Sequence, residues 1–201
     1  FDDFEDGAID PIKWPEIRSP QYFSETNGML RMTGVKGYSI ELASRLMPTI
    51  VPPFALESRT RTISSPVNGW SPALLYAGSG INSLSVLETP SSTQYSCLNG
   101  TFSGPYGSKP WTEFHRNSMI LKSATAYETR SNFEVTTNAS WSVTGTYSAY
   151  SSTIVVIGPR GDYYDYGSVQ AMEGHVDAIW IRQYSPSNVV ASIASSADTL
   201  T

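Results

Sequence analysis

The run Gly174-His175-Val176-Asp177-Ala178-Ile179-Trp180-Ile181-Arg182-Gln183-Tyr184 constrains this chain more than any other stretch. It is rich in β-branched and aromatic residues, holds no internal Gly or Pro, and is closed by Ser185-Pro186, which is the pattern of a β-strand. Alternation places Asp177, Ile179 and Ile181 on one face and Val176, Ala178, Trp180, Arg182 and Tyr184 on the other. Bulky apolar groups on both faces describe a central strand, with neighbours on either edge. Asp177 enters this run beside isoleucines, and a buried carboxylate needs a hydrogen-bonding partner or a cation.

The remainder of the chain reads as strands of the same kind. Gln21–Thr26 and Met29–Thr33 flank Asn27-Gly28, the strongest short-range hairpin signal. Tyr38–Leu42 follows, and a proline-rich connection from Pro48 to Pro53 delivers the chain to Phe54–Thr62. There Phe54, Leu56 and Ser58 share one face, and Ala55, Glu57, Arg59 and Arg61 the other. Further strands are expected at Trp70–Ala77, Ser83–Glu88, Thr93–Leu98, Tyr127–Thr137, Trp141–Thr146 and Ser152–Ile157. Asn99–Pro110 reads as a loop. Trp111–His115 and Met119–Lys122 are expected to form a hairpin around Arg116-Asn117. Ile40–Met47 is the best helical candidate and spans about one to two turns.

Strands recurring every eight to twelve residues, split by Gly, Pro, Asn and Ser, specify an all-β sandwich or barrel. A length of 201 residues suits one such domain. The expected boundaries are 1–186 for the sandwich and 187–201 for a small polar tail, an edge strand or linker. Trp14 is expected as a core plug. The acidic run Asp2, Asp3, Glu5, Asp6 reads first as a solvated end and second as a metal site.

Charge narrows the partners. The net charge is −5 and no basic cluster is present, which argues against nucleic acid and anionic membrane. Charged residues make up only 15% of the chain, amid abundant Ser, Thr, Gly, Pro and Tyr, a composition of extracellular or cell-surface β proteins. Cys97 is the only cysteine, so there is no disulfide framework and no cysteine-based metal site. Asn99-Gly100-Thr101 and Asn138-Ala139-Ser140 fit the N-glycosylation acceptor pattern. His115 and His175 show no metal-ligand spacing. No Gly-x-Ser-x-Gly elbow occurs, and the isolated Arg160-Gly161-Asp162 tripeptide is treated as chance.

Read in order, Phe1-Asp2-Asp3-Phe4 leading to Trp14, then Asn27-Gly28-Met29-Leu30-Arg31-Met32, Leu56-Glu57-Ser58-Arg59 and Val176–Tyr184 resemble the concanavalin A-like lectin/glucanase superfamily. The nearest pattern is that of laminin-G-like domains of archaeal and bacterial surface proteins. The resemblance implies a jelly roll of two antiparallel sheets, with first and last strands adjacent and sugars on the concave face or its rim. It also implies a structural calcium ion held by the carboxylate of Asp177 and the carbonyls of Asp3 and Gly28, hard oxygen donors that suit this metal. The alternative for Asp177 is a bond to Arg31 or to a backbone amide. The Glu-x-Asp-x-x-Glu run of the related retaining glucanases, whose carboxylates stand about 5 Å apart, has no counterpart here. Glu57, Glu113, Glu128 and Glu134 are isolated from one another in sequence.

Aromatic content points to saccharides. Twelve tyrosines and five tryptophans accompany seven phenylalanines, and amphipathic rings stack on pyranose C–H groups while polar neighbours read the hydroxyls. Trp70, Tyr76 and Trp111 are candidate platforms, each with core packing as its alternative. Arg160, Asp162, Tyr163, Tyr164 and Tyr166 are candidate contacts on a loop. The leading expectation is a non-catalytic glycan-binding domain acting in adhesion or polysaccharide recognition. Two alternatives stand beside it. One is a structural subunit of a filament or surface layer, self-assembling by strand exchange through a terminal segment such as Val189–Ser195. The other is a glycoside hydrolase or polysaccharide lyase with a non-standard carboxylate pair.

Overall fold

The computed structural model describes residues 2–35, 41–44, 52–64, 73–76, 84–86, 96–98, 101–103, 109–123, 125–146, 155–158 and 171–185. In chain order the strands are β1 (Glu16–Arg18), β2 (Phe23–Glu25), β3 (Leu30–Val35), β4 (Glu41–Ser44), β5 (Phe54–Ser64), β6 (Ala73–Tyr76) and β7 (Leu84–Val86). They continue with β8 (Ser96–Leu98), β9 (Thr101–Ser103), β10 (His115–Leu121), β11 (Ala126–Phe133), β12 (Trp141–Thr146), β13 (Val155–Gly158) and β14 (Ala171–Gln183). Among the described residues the helical turns are two short 3-10 turns, Pro20–Tyr22 and Thr137–Ala139.

The strands form two seven-stranded sheets. One runs β12-β11-β10-β5-β14-β3-β2 and the other β1-β4-β13-β6-β7-β8-β9, and every ladder within them is antiparallel. This is the expected all-β jelly-roll sandwich. The core lies between the sheets: Leu30, Met32, Phe54, Leu56, Met119, Leu121, Val176 and Ile179 of the first meet Ile157 of the second. Phe4 and Trp14, fully buried and stacked at 6.1 Å between centroids, plug one end.

Asn27-Gly28 makes the hairpin that the sequence announces. Both residues have positive φ (56° and 68°), and the Thr26 N–H bonds to the Met29 carbonyl at 2.9 Å. That combination is what a tight turn between right-twisted strands requires. The Arg116-Asn117 turn, by contrast, does not exist. β10 runs straight through it, pairing with β5 on one side and β11 on the other. Arg-Asn offers no glycine to take positive φ, and His115, Asn117, Met119 and Leu121 all turn inward, so a continuous strand buries more. Ile40–Met47 is not helical where described, since Glu41–Ser44 is β4. Thr101–Ser103, placed in a loop by composition, is β9.

The first described residues meet β14. Asp2 bridges Ile179 with paired backbone hydrogen bonds of 3.0 and 2.8 Å. Its carboxylate, 6% exposed as a residue, accepts from Lys13 Nζ at 3.0 Å and from the indole N–H of Trp14. Asp2 is thus no part of a solvated end, whereas Asp3, Glu5 and Asp6 are exposed, as a solvated end requires. Replacing a buried acceptor leaves its donors unsatisfied at about 1–3 kcal/mol. Asp2→Ala is therefore expected to lower the urea-unfolding free energy by about that amount, and an unchanged midpoint would remove this role.

Candidate functional site

The alternation of β14 is broken by one residue, and the site follows from that. Val176 pairs with Thr60 and Ala178 with Arg59, so Asp177 is an extra residue, a β-bulge. Val176 and Ile179 consequently both point into the core at 0% and 1% exposure, while Asp177 is displaced to the outer face. There its carboxylate lies 3.1 Å from Arg59 Nη1 with its side chain 36% exposed. The expected burial of Asp177 among isoleucines fails because strict period-two counting does not survive a bulge.

Calcium is tested by the same geometry. Asp2, next to Asp3, pairs with Ile179, and the Glu5 side chain lies 3.7 Å from where a Cβ on Gly28 would stand. Asp177 has a counter-ion in Arg59, while the other two expected ligands, at Asp3 and Gly28, are main-chain carbonyls. Among the described residues, no group of three or more His, Cys, Asp or Glu is placed to hold a metal.

The outer face of the β14 sheet carries a dense array of charge. On it lie Arg31, Arg59, Arg61, Arg116, Arg130, Arg182 and Lys122, against Glu57, Glu128, Glu134, Glu173 and Asp177. Cations outnumber anions here although the whole chain is acidic. Glu57, 3% exposed, accepts from Ser118 Oγ (2.8 Å), Trp180 Nε1 (2.8 Å) and the Arg182 fork (2.7 and 3.2 Å). Burial pushes its carboxyl upward, but these donors outweigh burial and hold it below the usual carboxylate range. Glu128 follows the same logic: burial is overcome by bonds from Arg130 and from Lys122 at 2.6 Å. Arg59 reaches Glu134 with both fork nitrogens, at 2.7 and 2.8 Å.

At the β3–β14–β5 end this face opens into a cleft of about 320 Å³ lined by Thr26, Asn27, Met29, Arg31, Arg61, Glu173 and His175. Register explains the grouping, because Arg31 of β3 and Arg61 of β5 both stand opposite His175 of β14. Arg31 forks onto Glu173 at 2.9 and 3.1 Å. His175 Nε2 lies 2.9 Å from Glu173 Oε1, and its Nδ1 faces Arg61 Nε and Nη2 at 3.2 and 3.1 Å. A guanidinium only donates, so Nδ1 must accept and Nε2 must carry the proton toward Glu173. Arg31 first and His175 second hold the Glu173 carboxyl down at about 2. The cleft therefore keeps one guanidinium, that of Arg61, faced by a neutral imidazole rather than a carboxylate. Nitrogen-15 NMR at neutral pH is expected to show the Nε2–H tautomer of His175; the Nδ1–H form would overturn this assignment.

One carboxyl moves the other way. Glu25 is raised to about 7, by burial first and then by the facing Asp6 carboxyl and the charge of Asp2, while the Gly7 N–H opposes the shift. Both Glu25 oxygens are enclosed. A carboxyl raised in the folded state costs stability as pH rises from its unfolded value near 4.5 through about 7. The urea midpoint of the wild type is therefore expected to fall between pH 5 and pH 8, and that of Glu25→Gln to lose most of this fall. Parallel pH profiles would refute it.

The residues singled out from sequence are distributed differently. Trp70, Arg160, Asp162, Tyr163, Tyr164, Tyr166 and Asn99 lie outside the described residues, as does the 187–201 tail. Tyr76 closes β6, paired with Val155 and Leu84. Trp111 is no sugar platform: it is 5% exposed and packed against Phe133 (5.4 Å) and edge-on to His115 (5.5 Å). Asn138 is exposed in the Thr137–Ala139 turn. Sequence reading placed Arg59, Arg61 and Glu57 on one strand face but missed their partners on β10 and β14 and at Glu134, just past β11. The available signal was the pairing of Glu173 and His175 at two-residue spacing, which puts both on the face opposite Val176.

Known proteins share the fold at low identity. No family model and no curated protein matches the sequence. A xylan β-1,4-xylosidase from Bacillus halodurans C-125 superposes with a TM-score of 0.63 at 13% identity, over 90% of this chain but 38% of that one. This chain thus spans about two fifths of the xylosidase. An endo-β-1,3-glucanase from Pyrococcus furiosus gives 0.52 at 10% identity, covering 90% of this chain and 91% of the enzyme. The exoplasmic/lumenal domain of VIP36, in a Ca2+/Man3GlcNAc-bound form, gives 0.50 at 11% identity over 84% and 87%. At these identities the likeness shows the fold alone, a β-sandwich of two antiparallel sheets.

Proposed function

We propose that this chain is a non-catalytic glycan-binding domain, of the laminin-G-like type, of a secreted or cell-surface protein. The observation that carries the reading is the cleft at Arg31, Arg61, Glu173 and His175. It offers fixed donors and fixed acceptors side by side, the arrangement that reads sugar hydroxyls, at a volume within the ordinary range for small-ligand sites. Structural neighbours that act on or bind glycans support it. Among the described residues no helix is long and apolar enough to cross a membrane. Asn138, exposed on its turn, is accessible for glycosylation.

The hydrolase alternative draws support from the same neighbours, two of which are glycosidases by name. Retaining or inverting hydrolysis needs one carboxyl kept protonated beside a second carboxylate and open to substrate. On the outer face, Glu57, Glu128, Glu134, Glu173 and Asp177 are each bound to a cation. Glu25 has the raised value, yet its oxygens are enclosed. The described carboxylates therefore favour binding over cleavage. Strand exchange through Val189–Ser195 rests on residues outside those described.

Calorimetric titration against a broad set of oligosaccharides, with calcium supplied, tests the proposal. Binding without release of reducing ends is the expected result. Arg61→Ala removes charge-assisted hydrogen bonds worth about 1.5–3 kcal/mol and is expected to weaken binding by roughly tenfold or more. Silence across neutral and acidic glycans would end the binding reading, and turnover of any of them would replace it with the catalytic one.

A further inference from the structure

Two arginines on the outer face stand apart from the rest. Arg31, Arg59, Arg130 and Arg182 are each bonded to a carboxylate. Arg61 instead donates to the neutral side of His175 and lies over the Phe114 ring, 4.5 Å from its centroid. Arg116, exposed, lies over the Trp180 ring at 5.0 Å. Register places Arg116 directly opposite Arg59, so Arg61, two residues further along β5, is its diagonal neighbour at about 7–8 Å. Both guanidiniums are steadied by an aromatic face; Arg61 spends its Nε/Nη2 edge on His175 and keeps the terminal Nη1/Nη2 edge for a second partner, as Arg116 does.

From this we infer that Arg61 and Arg116 form a two-point anion track for an acidic polysaccharide, one carrying uronate carboxylates or sulfate esters. The inference rests on the glycan-binding reading and extends it from the cleft across the face. A planar guanidinium meets a carboxylate or sulfate with paired hydrogen bonds, which no neutral sugar supplies. A saccharide fits the surroundings better than nucleic acid does. Glu173, next to Arg61, accepts from hydroxyls, which a saccharide carries on every ring and a phosphodiester backbone does not.

The test compares the full chain with four probes at low salt: oligogalacturonate, a chondroitin sulfate oligosaccharide, a neutral β-1,3-glucan oligosaccharide and an oligothymidylate. The expected result is tighter binding of an acidic saccharide than of the neutral glucan, weakened roughly tenfold or more when salt is raised tenfold. Arg116→Gln lies outside the cleft and is expected to reduce acidic binding about tenfold while leaving neutral binding in place. Arg116→Lys, which keeps the charge but not the planar fork, is expected to recover only part of it. Preference for oligogalacturonate identifies the anion as carboxylate; because chondroitin sulfate carries both groups, loss of its binding on desulfation identifies the anion as sulfate. Equal affinity for neutral and acidic sugars would overturn the track and leave the glycan reading standing; binding of neither would remove both. Acidic binding untouched by Arg116→Gln, or an oligothymidylate bound as tightly as the saccharides, would also overturn it.

Discussion

The ladder between β5 and β14 is the constraint on which the fold depends. It runs from Glu173 to Gln183, with inward side chains that meet the second sheet and outward ones that carry the charge. On the other edge β14 pairs with β3 only as far as Val176. Beyond that point the edge would be open, and the start of the chain takes it over through the Asp2–Ile179 bridge. One strand therefore ties together the N-terminal hairpin, the first residues and the centre of the sheet. Loss of the ladder would separate all three.

The outer face shows how such a sheet tolerates charge on a strand that is buried on its other side. Carboxylates are enclosed where arginines can reach them, as at Glu57 and Glu128, and the arginines extend their stems over the sheet to do so. Net stabilisation from each pair is small once desolvation is counted. Their effect is rather on position: a guanidinium held by a carboxylate or laid on an aromatic ring has few conformations left to lose when a ligand arrives. The cleft at His175 extends that pre-organisation to a space large enough for a small ligand.

Local chemistry was legible where one residue pair decides the backbone. Asn27-Gly28 announced a hairpin, and Trp14 a buried plug, because positive φ and large apolar area leave few alternatives. The reading broke where a distant partner decides. Trp111 looked like a sugar platform until Phe133 and His115, residues of other strands, enclosed it. Arg116-Asn117 looked like a turn because polar pairs often are, yet β5 and β11 hold it extended on both sides. The cleft was illegible for the same reason. Arg31, Arg61 and His175 are far apart in sequence and meet only through register, which a bulge in β14 shifts by one.

That bulge makes the middle of β14 tolerant of one length change and of few others. Removing Asp177 would leave Val176 opposite Thr60 and Ala178 opposite Arg59 in unbroken register, with Val176 and Ile179 still facing the core and one counter-ion of Arg59 lost. Removing a residue far from the bulge would instead turn one half over, driving Glu173 and His175 between the sheets or putting Ile179 into solvent. Families descended from such a chain are therefore expected to keep or lose one residue at this point without changing the face that any other presents.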